Sequence, residues 1–257
     1  MFNIKKINKG LIILTIINCS LVLIRALLLK KIHYLYLIWN LFLALIPYLL
    51  ALSIDNDFRY FYKTKKLELK THLKILSWFF ILPNSFYMIT DLIHIRAMGN
   101  LYKYINYNSN LIARNIPFDS NLIAWYDFYM SFSFVLLACI FAFFSLKIIS
   151  NILFRAFKKQ SLKKARYIAH SFNLIILLIN SYAIYLGRFI RFNSWDVILN
   201  PTILFNIVSS NINMHMYSYS ILTFFHITLC YYTLDLISYN FIPKYNSKNK
   251  IHNKKNK

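Results

Sequence analysis

The sequence predicts an all-α protein, a polytopic transmembrane helix bundle of about six spans with the N-terminus and C-terminus both cytoplasmic. Three observations carry this reading. Six apolar stretches are each long enough to cross a bilayer, which takes about 20 residues at 1.5 Å rise. Of the 257 residues, 58% are hydrophobic and 15% charged, with a mean hydropathy of +0.47; an ordinary soluble domain carries about a quarter charged residues. The Lys and Arg residues, finally, gather in alternate connections between the apolar stretches.

The first stretch runs from Leu11 to Leu29. Lys5, Lys6 and Lys9 precede it, as they would a signal peptide. It continues to Arg25 and Leu27-Leu28-Leu29-Lys30-Lys31 without a small-x-small cleavage site, so it reads as a retained span. The others cover Tyr34–Ile54, Ile75–Ile95, Leu122–Ile149, Ile168–Phe189 and Tyr217–Ile237. With the N-terminus inside, the first ten residues, 55–74, 147–167 and the segment from Pro243 onward are cytoplasmic. They hold 22 of the 30 Lys and Arg, and this excess on one side sets the orientation. Arg25 lies near the outer end of the first span, where it is expected to snorkel. The 22 inner charges would also meet anionic lipid headgroups.

Val197–Ser210 is apolar enough to suggest a seventh span, with Asn200-Pro201 as a helix start. Spanning there would place the Lys-rich tail outside, so the stretch is expected to be an outer interfacial or re-entrant helix. Residues 1–243 thus form one transmembrane domain, and 244–257 a basic cytoplasmic tail without fixed structure. No internal repeat is evident, which weakens an inverted-repeat transporter reading.

A net charge of +22 in a soluble chain would point to nucleic acid. Here the basic residues alternate with apolar runs and line no single face, so nucleic-acid binding is not expected. Cys19, Cys139 and Cys230 each lie inside an apolar run, outside any CxxC or Cys/His ligand spacing, and read as small buried thiols. No metal or other cofactor is predicted; Asp91 and His94 alone would leave a metal under-ligated. HExxH, P-loop, GxSxG and dinucleotide fingerprints are absent.

Ionisable groups at the edge of a bilayer are costly and need a reason. In the third span, Asn84, Tyr87, Asp91 and His94 are spaced 3, 4 and 3 apart and would share one face of an α-helix. Pro83 would free a carbonyl one turn back and kink the span. Counting ~1.5 Å per residue from Ile75 places Asp91 about 24 Å across, near the outer edge. Asp127 opens the fourth span, Arg188 and Arg191 close the fifth, and Asn193, Trp195 and Asp196 follow. Asn40 sits near the start of the second. Four segments therefore deliver polar groups to one outer layer.

Two readings of that layer stay open. One is a packing network in which Asp91 or Asp127 pairs with Arg188 or Arg191 inside an aromatic belt. The other is a site in which the two arginines hold a phosphate or carboxylate and Asp91, His94 or Asp127 acts as the catalytic base. The binding residues would be Asn40, Asn84, Tyr87, Arg188, Arg191, Asn193, Trp195 and Asp196. Elsewhere, Asn18 and Asn180 are expected to hydrogen-bond between helices, His226 to be hydrogen-bonded packing, and Asp235 to be solvated or lysine-paired.

Trp39-Asn-Leu-Phe-Leu-Ala-Leu-Ile-Pro47, Leu82-Pro-Asn-Ser-Phe-Tyr-Met-Ile-Thr-Asp-Leu-Ile-His94, Trp125-Tyr-Asp127 and Gly187-Arg-Phe-Ile-Arg-Phe-Asn-Ser-Trp-Asp196 resemble a bacterial membrane family, domain-of-unknown-function family 1361. Phe192 stands where that family more often has Trp. The resemblance implies a bacterial plasma-membrane protein with an all-helical fold, and no activity. Three functions follow as expectations: a binding protein or enzyme for an anionic lipid or lipid-linked headgroup, a small transporter with a polar path through Asn84, Asn180 and His226, or an assembly partner of another envelope protein.

Overall fold

The computed structural model describes residues 4–94 apart from 31 and 33, residues 122–191 and 212–240, and positions 202, 206 and 210 between them. The elements are α1 (Ile4–Leu29), α2 (Leu35–Thr64), α3 (Leu69–Ile81), α4 (Pro83–Tyr87), a 3-10 segment (Met88–His94), α5 (Leu122–Phe157), α6 (Leu162–Tyr185) continued by a π-helical turn (Leu186–Ile190), and α7 (Met214–Asn240). Six stretches are long and apolar enough to cross a membrane: Ile7–Leu29, Leu35–Thr64, Leu69–Ile93, Trp125–Phe157, Leu162–Ile190 and Met214–Ser238. The chain is an all-helical, multi-pass membrane protein. Residues 197–210 lie almost wholly outside the described residues, as does the tail 244–257.

The most enclosed helix, α5, is the hub. The most hydropathic stretch of its span is 61% buried, against 22% for α1 and 17% for α7. Its most extensive partner is α2. The contact runs over small residues, with Ala44, Ala51, Ala138, Ala142 and Ser145 all fully enclosed; small side chains let helix backbones approach where lipid supplies no hydrophobic drive to associate. One core cluster joins α1, α2 and α5 around Leu37, Leu41, Phe134 and Phe141. A second joins α2 to α7 around Trp78, Phe86, Leu146 and Leu177.

Polar side chains bridge the helices inside these cores. Trp78 Nε1 donates to Ser145 Oγ at 2.7 Å, and Ser145 Oγ donates to Pro47 O at 2.9 Å. Ser85 Oγ donates to Ala44 O at 2.7 Å. Pro47 lacks the N–H of its turn, and donors from α4 and α5 cluster around that break. Asn18 Oδ1 accepts from Ser133 Oγ at 2.5 Å, so Asn18 does join two helices. Asn180 does not: its Nδ2 donates to Ile176 O of its own helix at 2.7 Å.

Ion pairs connect the same elements: Arg25 to Asp127 (α1–α5), Asp55 to Arg155 (α2–α5), Asp57 to Lys74 (α2–α3) and Lys147 to Asp235 (α5–α7). They fall at two ends of the bundle, here the Asp127 end and the Asp55 end.

Candidate functional site

The third span is not one α-helix. It breaks at Leu82, resumes for five residues from Pro83 and tightens to 3-10 from Met88. Pro83 removes the donor and crowds the preceding turn. In a 3-10 segment, positions three apart eclipse. Tyr87 and Asp91, four apart across the change to 3-10, therefore do not share the expected face. Met88 and Asp91 stack on the edge facing α2 and α5, enclosed at 0% and 3% exposure. Thr90 and Ile93 occupy a different edge. Tyr87 packs half-buried in the second core cluster, and Asn84 is half-buried on α4. The side chain of His94, with Asn193, Trp195 and Asp196, lies outside the described residues.

Two polar groupings occupy the Asp127 end. In the first, Arg25 Nε donates to Asp127 Oδ1 and Arg25 Nη2 to Asp127 Oδ2 at 2.8 Å, a two-pronged pair with both side chains 8% exposed. The guanidinium carbon lies 4.3 Å from the Tyr34 ring centroid, within cation–π range. Tyr126 Oη donates to Leu21 O at 2.7 Å. Arg25 therefore does not snorkel, and Asp127 pairs with neither Arg188 nor Arg191. Two charge-assisted bonds to a carboxylate within side-chain reach hold the guanidinium in the bundle. This grouping clasps α1 to α5.

In the second grouping, Asn40 Nδ2 of α2 donates to Asp91 Oδ2 at 2.8 Å. Tyr36, one turn before Asn40, interacts electrostatically with Asp91 and with Arg188, and Tyr219 of α7 also interacts with Arg188. Asn40 and Asp91, expected to share a layer with Arg188, are thus hydrogen-bonded, and Tyr36 lies within electrostatic range of both Asp91 and Arg188. Arg191 is exposed and ends the π turn in the left-handed region, φ 60°, its N–H bonding Leu186 O. A π turn bonds i to i+5, so two residues three apart lose the shared face they would have on an α-helix. Arg188 and Arg191 do not form a side-by-side fork.

Beside this grouping a cleft of about 460 Å³ opens between the 3-10 segment, the end of α6 and α7. Arg188 is the charged residue on its wall. Phe86, Ile184 and Ile227 form its buried depth. At its rim Ile93, Leu222 and Phe189 are 74%, 58% and 48% exposed. Asp91, on the other edge of the 3-10 segment, is not among the lining residues. His226 lines the cleft and donates from Nδ1 to Leu222 O of its own helix at 2.8 Å. With Asn180 bonded to its own helix and His226 exposed, these two form no inward polar path among the described residues.

Sequence reasoning missed the Arg25 pairing and the cleft-lining residues Thr90, Tyr219 and Thr223. It also missed a second charge cluster at the Asp55 end. There Arg59 Nε meets Asp55 Oδ2 at 2.8 Å and Arg155 meets Asp55 Oδ1, with Asp55 itself 5% exposed. The Asp55–Arg59 spacing of four was a readable signal; nothing in the sequence linked Arg155 to it. No group of three or more His, Cys, Asp or Glu side chains able to hold a metal occurs among the described residues.

Neither the curated proteins nor the solved structures gave a match. A family model does match, from Trp39 to Cys230. It takes in Asn40, Asp91, Arg188 and every residue of the cleft, runs beyond the fifth span into α7, and leaves out α1 with Arg25. With well over half of its length covered, the chain belongs to the family described as Protein of unknown function (DUF1361).

Proposed function

We propose that this protein sits in a bacterial plasma membrane with both termini cytoplasmic and binds the anionic headgroup of a lipid or lipid-linked compound through Arg188, on the outer side. Orientation rests on the Lys and Arg distribution: the Asp55 end carries the basic connections 55–74 and 147–167, and the Asp127 end carries few. The observation that supports binding is the placement of one guanidinium on the wall of a mostly apolar cleft. Sites for small molecules are largely apolar with a few placed polar groups, and Arg suits phosphate and carboxylate. Asp91 and Asn40 form a hydrogen-bonded pair outside the cleft lining. Since Asp91 faces away from the cleft, the arrangement favours binding over base catalysis.

The test is thermal unfolding of the protein in phosphatidylcholine nanodiscs with and without phosphatidic acid. Ligand at about 100 times Kd stabilises by ~2.7 kcal/mol, worth roughly 5–10 °C for a chain of this size. Arg188→Ala removes a charge-assisted contact and should weaken binding about 10- to 100-fold. An undiminished response in Arg188→Ala would sink the assignment.

A further inference from the structure

The cleft has the wrong shape and chemistry for a headgroup alone. It extends from the level of Arg188 and Phe189 down α7 from Tyr219 to Ile227, about 12 Å at 1.5 Å per residue. The polar side chains along that length are turned to their own elements. Thr90 Oγ1 donates to Tyr87 O at 2.8 Å, and His226 bonds Leu222 O. What faces the cleft is mostly carbon. The depth is closed by Phe86, Ile184 and Ile227, each no more than 1% exposed. The mouth is rimmed by exposed Ile93, Leu222 and Phe189, and all three lie inside membrane-span stretches. At Leu222, well inside its span, it therefore opens sideways between helices, while Ile93 and Phe189 stand at the span ends.

We infer that this cleft is a lateral slot for the hydrocarbon chain of a lipid-linked anion, with Arg188 holding the charged head at its upper end. The inference rests on the headgroup reading above and narrows it to ligands that carry a chain. A volume of about 460 Å³ takes roughly fifteen groups of ~30 Å³, the share of one water in the liquid. A soluble phosphate would use only the top of that space and leave the apolar length unfilled. A zwitterionic membrane lipid would fill the length and meet Arg188 with no net charge. An arginine at the top of an apolar slot suits an anionic head carried on a chain.

The experiment compares three probes on the full chain in phosphatidylcholine nanodiscs: inorganic phosphate, glycerol 3-phosphate, and phosphatidic acid bearing a diazirine on its acyl chain. Thermal shift reads affinity, and peptide mapping reads where the chain crosslinks. Phosphatidic acid should bind at least 100-fold more tightly than either soluble phosphate and crosslink to the 3-10 segment and to Tyr219–Ile227. Leu222→Trp alters an exposed rim position and should fold normally. It should weaken phosphatidic acid at least tenfold and leave the weak response to soluble phosphate unchanged. Arg188→Ala should weaken all three probes. Soluble phosphates binding as tightly as phosphatidic acid, or a Leu222→Trp variant with unchanged lipid affinity, would overturn the slot while leaving the headgroup reading intact. No response to any anion would remove both. Crosslinking that is equal with a phosphatidylcholine probe and indifferent to Arg188→Ala would mark ordinary annular lipid, and the slot would again fall.

Discussion

If Arg25 and Asp127 hold α1 to the bundle, breaking the pair from its two sides should have unequal costs. Both side chains are 8% exposed and joined by two hydrogen bonds, and Tyr34 stacks on the guanidinium. Charge-assisted bonds contribute about 1.5–3 kcal/mol each, and removing one partner of a sealed ion pair costs about 3–5 kcal/mol, because the other charge is left buried. Arg25 lies four residues from the end of α1, about 6 Å along the axis. In Asp127→Ala the freed guanidinium can climb that distance to water, which should lower the cost to ~2–4 kcal/mol. In Arg25→Ala the short carboxylate of Asp127 cannot follow, and the full ~3–5 kcal/mol is expected. Arg25→Leu with Asp127→Leu leaves no charge behind and should return to within about 1 kcal/mol of the parent, since apolar replacements of buried pairs are often neutral. Thermal unfolding of the two alanine singles and of Arg25→Ala with Asp127→Ala closes a double-mutant cycle and gives the coupling directly, with the leucine double as a separate check. A coupling below ~0.5 kcal/mol, with additive singles, would refute the clasp.

Other perturbations follow from the same structure. Arg155→Ala should destabilise by ~2–3 kcal/mol and Arg59→Ala by less than ~1 kcal/mol, although both touch Asp55, because Arg59 is 40% exposed and its pair is a helix-surface one; equal melting temperatures would contradict this. Ser145→Ala should cost ~1–3 kcal/mol by stranding the buried Trp78 Nε1, and Trp78→Phe in the same chain should recover part of that loss; full additivity in denaturation would show that the two do not act together. For the orientation, a cysteine at exposed Ser161 should react with an impermeant maleimide only after cells are opened; labelling of intact cells would reverse the topology.

Much of this fold was readable because hydropathy reports the solvent around a helix. All six apolar stretches became helices. Their ends moved in one direction, however: α2 runs on to Thr64, α5 to Phe157, and α6 starts at Leu162, six residues before its apolar stretch. The added turns carry Lys, Arg and Asp, and polar residues form helix as readily once water or a neighbour surrounds them, so a window that detects hydrocarbon stops short. Pairings were less readable. Arg25 and Asp127 are 102 residues apart, and Arg155 and Asp55 100 apart. Helical periodicity says which residues share a face of one helix, and nothing about which face meets which. The four-segment layer was anticipated, yet it divides into a closed clasp and a grouping beside a cleft. The division follows from two backbone changes, 3-10 after Met88 and π after Tyr185, that Pro83 and Gly187 hinted at without fixing.

The placement of the polar ties bears on how the cleft could fill. In lipid, packing and hydrogen bonds must do what the hydrophobic effect does between helices in water, so a helix is held where its ties are. For α7 the ties lie in one half. Asp235 meets Lys147, Tyr231 Oη accepts from Asn173 Nδ2 at 3.0 Å, and Tyr232 contacts His170. From Met214 to His226, among the described residues, α7 meets α6 chiefly through aromatic contacts, with Phe189 at 4.8 Å from both His215 and Tyr219 by ring centroids. Ring contacts of this kind tolerate sliding better than a charge pair with fixed geometry. The half of α7 that walls the cleft is thus the half with the fewest directional bonds. A chain lying between α7 and the 3-10 segment would displace ring contacts, and it would leave intact the ion pair and hydrogen bonds that keep α7 in the bundle.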